Sequence, residues 1–493
     1  MKNNQVNKAN LLIYSGSLAV AVLFCLQFSV TTSPLYHLYG TDSAVFQIIG
    51  KYWAQGSLPY VDLWDHKGPL IFFVNCLGYL LIGDKTGVWL IQVFCLSFFL
   101  FYTYRTFNLY FKPLLSCALT VCALSWLGCT YMGGNLTEEY ILPLLSANFY
   151  YTAVWLQQRQ TDDAMPPYST KQGFLLGIIL AFAFMTRLTN ALGACGVACG
   201  ISFILISNKH WKNFFQCIGT FLCGFAVLSV PFIIYFAYHH ALDDMMFGTL
   251  FYNFQYMSHA MPGNEVSFSD LYGKKILFAI MAVNCYGLLC SSLFLMIKDK
   301  GCRDFGIVWF LGTLFLSMWY FHSATYEHYR TIAVPFFPFL VISLVYMKRN
   351  YLPIVCSVLL ALLISAPIIQ TIRKQNNFVE YNHNLQSTNL LLIEKVQGIV
   401  PLEDKDSLMI YSCSPSIWLQ AGIKPMYRNF SYPESQFAKS EKLKHEILKE
   451  YESGKAKWIL CHGNNTLIQD ILDKSYTRVY VFPEEPEYSI WKR

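Results

Sequence analysis

Apolar residues in this chain gather in long unbroken runs separated by short polar loops, rather than in the alternating stripes of a water-soluble domain. A run of about 20 mostly apolar residues crosses the roughly 30 Å hydrocarbon core of a bilayer. The first run, 11–30, follows Lys2 and Lys8 as the core of a signal peptide would. It is too long for that role and no A-x-A-like cleavage site follows it, so it reads as a retained anchor. Ten more runs lie at 87–104, 113–131, 140–156, 172–186, 191–207, 214–236, 276–297, 305–321, 331–347 and 351–370. The stretch 70–83 is equally apolar but only about 14 residues long, below the spanning length, and reads as interfacial or re-entrant.

Two segments carry a different period. Between Asp42 and Trp53 the apolar residues Val45, Phe46, Ile48, Ile49, Tyr52 and Trp53 recur at helical spacing, which predicts an amphipathic helix lying on the membrane. Beyond Gln370 the chain turns polar, and the short apolar runs SLMIYSC, KWILCH and TRVYVF alternate with helical stretches such as 441–451. That alternation predicts a small α/β sandwich. The expected fold class is therefore a polytopic α-helical membrane protein of about 11 transmembrane helices plus interfacial helices, with a small C-terminal α/β soluble domain. The expected division is a membrane domain at 1–370 and an extracytoplasmic domain at 371–493.

Composition agrees with the pattern: of 493 residues 55% are hydrophobic and 13% charged, far from the balance of a soluble domain. Charge sets the orientation. Treating 70–83 as interfacial places Arg105, Lys112, Arg159, Lys171, Lys209, Lys212, Lys298, Lys300, Arg303, Lys348 and Arg349 with Lys2 and Lys8 in the inner loops, as the positive-inside rule requires. The N-terminus is then cytoplasmic, the membrane the plasma (inner) membrane, and the tail outside. The net charge of +6 is explained by this anchoring and gives no argument for nucleic acid as a partner. The sixteen cysteines form no C-x-x-C pair and read mostly as small buried hydrophobes; only Cys413 and Cys461 lie in the tail, where a disulfide is open but not implied. No nucleotide fingerprint is present, so an activated donor used outside would have to be lipid-borne.

The same topology gathers ionisable residues at the outer face. Asp42 stands at the start of the amphipathic helix, where a carboxylate serves as a cap or, half-buried with a raised pKa, as a general base or metal ligand. Asp65, His66 and Lys67 precede Gly68 and Pro69 at headgroup depth, where Lys67 suits a phosphate or merely snorkels to anionic lipid. Glu138 and Glu139 open the fourth span, either as first-turn acids of a helix or as a metal or acceptor site. Arg187 falls between two spans with almost no loop, where an arginine needs a partner, phosphate or Glu138. The last outer hairpin holds His322, Glu327, His328 and Arg330, and the loop 237–275 holds His259. Weak metal candidates are Asp42, Glu139, His259 and His328.

These residues and the layout around them resemble the GT-C superfamily of integral-membrane glycosyltransferases, particularly the branch of protein O-mannosyltransferases and lipid A aminoarabinose transferases. The resemblance rests on Asp42 in the first outer loop, on the KGP turn at Lys67 to Pro69 some 25 residues later, on Glu138 or Glu139 opening the fourth span, and on Arg187 after the fifth. It implies transfer of a hexosyl or pentosyl group from a polyprenyl-phosphate-linked donor to a protein or lipid/glycan acceptor outside the cytoplasm. It further implies that Asp42 is the base or acceptor-site carboxylate, and that Lys67 and Arg187, with Asp65, His66 and Arg330 nearby, bind the lipid phosphate. Ser43 and Gly68 depart from the second acid and second proline of many relatives, which leaves a divalent metal as an open cofactor.

Other classes remain to be separated from this one. An O-antigen-type polymerase or ligase usually lacks a soluble tail of this size. A lipid-linked-saccharide transporter or flippase would call for polar residues at the bilayer midplane and for internal repeats, and neither is evident.

Overall fold

The computed structural model describes residues 2–161, 166–254, 268–322, 327–431, 440–463 and 466–493. The chain divides into two compact units, one built from 1–29, 89–232 and 265–378, the other from 30–88, 233–264 and 379–493. His259 lies outside the described residues.

Helices occupy every long apolar run. They are α1 (Lys2–Phe28), α4 (Lys85–Asn108), α5 (Pro113–Gly128), α6 (Leu142–Thr161), α7 (Thr170–Phe184), α8 (Leu192–Ser207), α9 (Trp211–Tyr238), α11 (Phe268–Lys298), α12 (Arg303–His322), α13 (Phe337–Asn350) and α14 (Pro353–Ile399), with α2, α3 and α10 introduced below. Among the described residues six helical segments are long and apolar enough to cross a membrane: Lys8–Phe28, Lys85–Asn108, Leu188–Ser207, Trp211–Tyr238, Glu327–Asn350 and Pro353–Ile399. Shorter apolar helices join them, among them Pro69–Ile82, Pro113–Gly128 and Thr170–Phe184. Their outer surfaces are greasy. Phe215, Leu222, Val227 and Ile234 all stand exposed along α9, as expected of a helix solvated by lipid tails.

In the first unit glycines let helices approach closely. A methyl at Gly196 of α8 would lie 2.2 Å from the Leu311 carbonyl oxygen, and one at Gly200 would lie 2.7 Å from Val308 Cα. Small residues at such crossings are the usual means of packing helices where the hydrophobic effect gives no preference. Aromatic rings fill the wider gaps: Trp309 stacks on Phe339 at 3.5 Å between centroids, and the Trp126 indole donates to the Leu363 carbonyl at 3.0 Å.

The second unit holds α2 (Asp42–Ala54), α3 (Pro69–Ile82), the short α10 (Leu242–Met246) and the tail. The helix expected at 42–53 is present, but it does not lie on a surface. Nine of its thirteen residues are buried, including the unbroken stretch Ser43 to Gly50. Gln47 reveals the reason: its amide donates to Thr31 O at 3.1 Å and to Ser43 Oγ at 3.0 Å, and its Oε1 accepts from Tyr79 at 3.2 Å. Gly50 has no room for a side chain, since a methyl would meet Asn75 Cβ at 2.4 Å. Pro69 occupies the first turn of α3, where its missing N–H costs nothing.

In the tail the three apolar runs are strands β1 (Leu408–Tyr411), β2 (Trp458–His462) and β3 (Thr477–Val481), and a fourth, β4 (Tyr488–Lys492), accompanies them. They form one sheet in the order β1-β2-β4-β3, with β1 and β2 parallel and the remaining pairs antiparallel. The expected helix runs from Glu441 to Glu452 and buries Leu443, Ile447 and Tyr451 at four-residue spacing. The polar shift after Gln370 is not a structural break, because α14 continues unbroken to Ile399. Cys413 and Cys461 are both buried free thiols.

Candidate functional site

Asp42, Asp65, His66 and Lys67 belong to the second unit; Glu138, Glu139, Arg187, His328 and Arg330 belong to the first.

In the second unit a short loop joins α2 to α3, and each of its residues near the charged triplet is pinned. Tyr60 sits at φ +68°, a conformation rare for an aromatic residue. It is held there by its N–H to Leu63 O at 2.8 Å, and its hydroxyl donates to Lys67 O at 2.7 Å. Trp64 N–H donates to Arg428 O at 2.9 Å, and Asn253 Nδ2 donates to His66 O at 2.9 Å. Arg428 is itself anchored by Asp244 Oδ1 at 3.0 Å. No sequence motif marks Tyr60, Trp64, Asn253 or Arg428, because each acts on or through a main-chain group.

Asp65 is buried and accepts from Lys67 N–H at 3.0 Å, while its other oxygen lies 3.6 Å from His66 Nδ1. Lys67 Nζ is 2.7 Å from His66 Nε2. Burial raises the Asp65 pKa, the Lys67 charge opposes the rise, and the Asp42 charge adds to it. Asp42 itself is exposed at the first position of α2, not half-buried as expected, and Thr41 makes no side-chain cap there. A carboxylate is favoured at a helix N-terminus.

In the first unit the two adjacent glutamates have separate environments. Glu138 is buried, and its Oε1 accepts from Arg187 Nη1 at 2.8 Å. The Arg187 guanidinium also lies 3.3 Å over the centre of the Tyr329 ring. Arg187 thus has a protein carboxylate as one partner. Its backbone is extended between α7 and the 3-10 turn Leu188–Ala191. Tyr329 is flanked by His328 and Arg330, both buried in the 3-10 segment Glu327–Phe336. Lys374 of α14 forms an ion pair with Glu327.

Glu139 is buried in a polar network. Its Oε1 accepts from Gln92 Nε2 at 2.7 Å and from Leu136 N–H at 3.1 Å, and Gln92 and Ser29 both reach Tyr131 OH, at 3.4 and 2.8 Å. Burial pushes its pKa up to about 7 against the hydrogen bonds from Tyr131, Gln92 and the backbone. Between Tyr131 and Leu136 the backbone is left-handed at four successive residues: Met132 at φ 42°, Gly133 at 83°, Gly134 at 80° and Asn135 at 60°. Two of these are not glycine, so the turn carries strain that the Glu139 network has to hold.

Of the metal candidates, Asp42 lies in one unit and Glu139 and His328 in the other. Among the described residues no group of three or more His, Cys, Asp or Glu side chains is placed to hold a metal ion.

No protein-family model matches the sequence, and no curated protein matches it. Solved structures do. The chain is similar to ArnT from Cupriavidus metallidurans bound to undecaprenyl phosphate, with a TM-score of 0.58 and 11% identity, over 97% of this chain and 98% of that one. The apo state of the same ArnT gives a TM-score of 0.56 over the same shares. The Archaeoglobus fulgidus oligosaccharyltransferase tethered to an acceptor peptide with an NVT sequon matches at a TM-score of 0.50 and 9% identity, over 91% of this chain and 69% of that one. At such identities the likeness is one of fold: this chain shares the polytopic helical membrane fold of these proteins.

Proposed function

We propose that the protein is a glycosyltransferase that moves a sugar from a polyprenyl-phosphate-linked donor to a protein or lipid/glycan acceptor at the outer face of the plasma membrane. The observation that carries this reading is the end-to-end fold similarity to ArnT, whose bound undecaprenyl phosphate is a lipid phosphate of the kind such a donor releases. The coincidence of that fold with a lysine held at the start of α3 and a carboxylate at the start of α2 supports it.

In the proposed reaction the acceptor oxygen attacks the anomeric carbon, the bond from that carbon to the phosphate oxygen breaks, and the acceptor proton passes to Asp42. Its exposure leaves that carboxylate open to an acceptor. The leaving group departs as a polyprenyl phosphate and needs charge stabilisation rather than a strong acid; the Lys67 ammonium supplies it. Within the first unit Arg187 and Glu138 form a neutralised pair. Eleven spans, an inner N-terminus and an extracytoplasmic tail complete the arrangement.

The test is transfer by membranes containing the full chain, supplied with radiolabelled polyprenyl-phosphate hexoses and pentoses. Label should leave the lipid-phosphate fraction and appear in protein, lipid or glycan. Movement of the intact lipid-linked sugar between leaflets, with no transfer from any donor, would overturn the proposal in favour of a transporter.

A further inference from the structure

Lys67 carries its ammonium at the end of a flexible four-carbon stem, and such a group binds phosphate well only if something holds it in place. The neighbouring side chain does so here. Lys67 Nζ and His66 Nε2 are 2.7 Å apart. An ammonium has only protons to give, so Nε2 must offer its lone pair and the ring proton must sit on Nδ1. That nitrogen lies 3.6 Å from Asp65 Oδ2, and the buried carboxylate favours that tautomer.

The ring that accepts from Lys67 is fixed by the fold. Its main-chain carbonyl is tied to Asn253, the flanking Trp64 N–H to Arg428, and the following Lys67 carbonyl to the Tyr60 hydroxyl. Tyr252, from the segment after α10, places its ring 5.7 Å from the imidazole and 5.0 Å from Trp64. Among the described residues Asp65, Lys67 and Tyr252 are titratable groups facing the imidazole, with the Asp42 charge acting on Asp65.

We infer that His66 is a positioning residue rather than a phosphate ligand: in its neutral form it takes one Lys67 N–H and aims the ammonium at the donor phosphate. This inference rests on the phosphate role of Lys67 proposed above. It has a sign that separates it from direct binding. If His66 contacted the phosphate, protonating it would add a cation beside an anion and tighten binding. As a positioning group it does the reverse, because a protonated ring has no lone pair for Lys67 and repels it.

The experiment measures binding of farnesyl methyl phosphate, a diester whose single charge is constant between pH 5.5 and 8.5, to the full-length protein in nanodiscs, with farnesol as the uncharged control. Wild-type affinity should fall as pH drops through the range in which an imidazole titrates. His66→Gln keeps an acceptor and loses the proton site; it should bind nearly as wild type does at pH 8 and show no pH dependence. His66→Phe should bind about tenfold more weakly than wild type at pH 8, the loss expected for one hydrogen bond to a charged group, and should show no pH dependence of its own. Lys67→Ala tests the underlying reading. If it binds the diester as wild type does, the phosphate site itself is wrong. If Lys67→Ala loses binding while wild type tightens in acid, or His66→Gln keeps the wild-type pH profile, the positioning role is wrong.

Discussion

Arg187 Nη1 stands 2.8 Å from Glu138 Oε1, and its guanidinium covers the Tyr329 ring. The arginine is therefore needed by the carboxylate whatever else it binds. Replacing it with alanine would leave Glu138 buried without its cation, at a cost of about 3–5 kcal/mol. Unfolding in detergent should show that loss for Arg187→Ala, and Arg187→Ala with Glu138→Gln should recover much of it. Equal stability of the two variants would mean that the pair is not coupled.

Asp42 is exposed at the first position of a buried helix, so its amide should be tolerated by the fold. Asp42→Asn is expected to retain the wild-type unfolding midpoint, and to lower kcat for sugar transfer by about 100-fold or more if it accepts the acceptor proton. A variant that folds and transfers sugar at the wild-type rate removes Asp42 from the reaction.

Glu139 predicts a pH dependence of stability. Its pKa is about 7 in the folded protein against an ordinary value of 4.5. Between those values the native state holds a proton that the unfolded chain has released. Stability should be greatest below about pH 4.5, should fall as pH rises towards 7, and should level off above it. The span is on the order of a few kcal/mol. Glu450 in the tail, likewise pushed up to about 7 by burial, adds to the same window. Glu139→Gln should flatten part of the curve and Glu139→Gln with Glu450→Gln more of it; an unchanged slope in both would refute the assignment.

Gly134 and Gly56 form a matched pair. Both have left-handed backbones, at φ 80° and 95°. A methyl at Gly56 meets nothing within 4 Å, whereas one at Gly134 lies 2.6 Å from Gln92 Nε2, the donor to Glu139. Gly56→Ala should cost about 1 kcal/mol for its backbone alone. Gly134→Ala should cost distinctly more and also shift the Glu139 part of the pH–stability curve, measured by unfolding at pH 5 and 8.

Much of this was legible in the sequence because bilayer and helix impose simple lengths and periods. Helices fall on all the long apolar runs, and the start of α2 at Asp42 was readable from its apolar spacing. The burial of α2 was not, since the same period fits a helix on a membrane surface and one inside a domain; only Gln47 and Gly50, which suit close packing, hinted at it. The charged triplet at 65–67 was visible as a cluster, but its order was not. Which atom of His66 faces Lys67 depends on contacts from Tyr60, Asn253 and Arg428, distant in sequence. Glu138 and Glu139 looked like one acidic pair. The run of left-handed residues before them turns the chain so that one meets Arg187 and the other Gln92.

The sheet order β1-β2-β4-β3 places the last of its strands to be synthesised between two others. Until Tyr488–Lys492 is available, β2 has an open edge and β3 has no neighbour in the sheet. A nascent tail therefore waits as an unfinished template, exposed to pairing with another chain, and closes only at the final strand. Ribosome stalling or truncation just before Tyr488 should leave an aggregation-prone intermediate rather than a smaller folded domain.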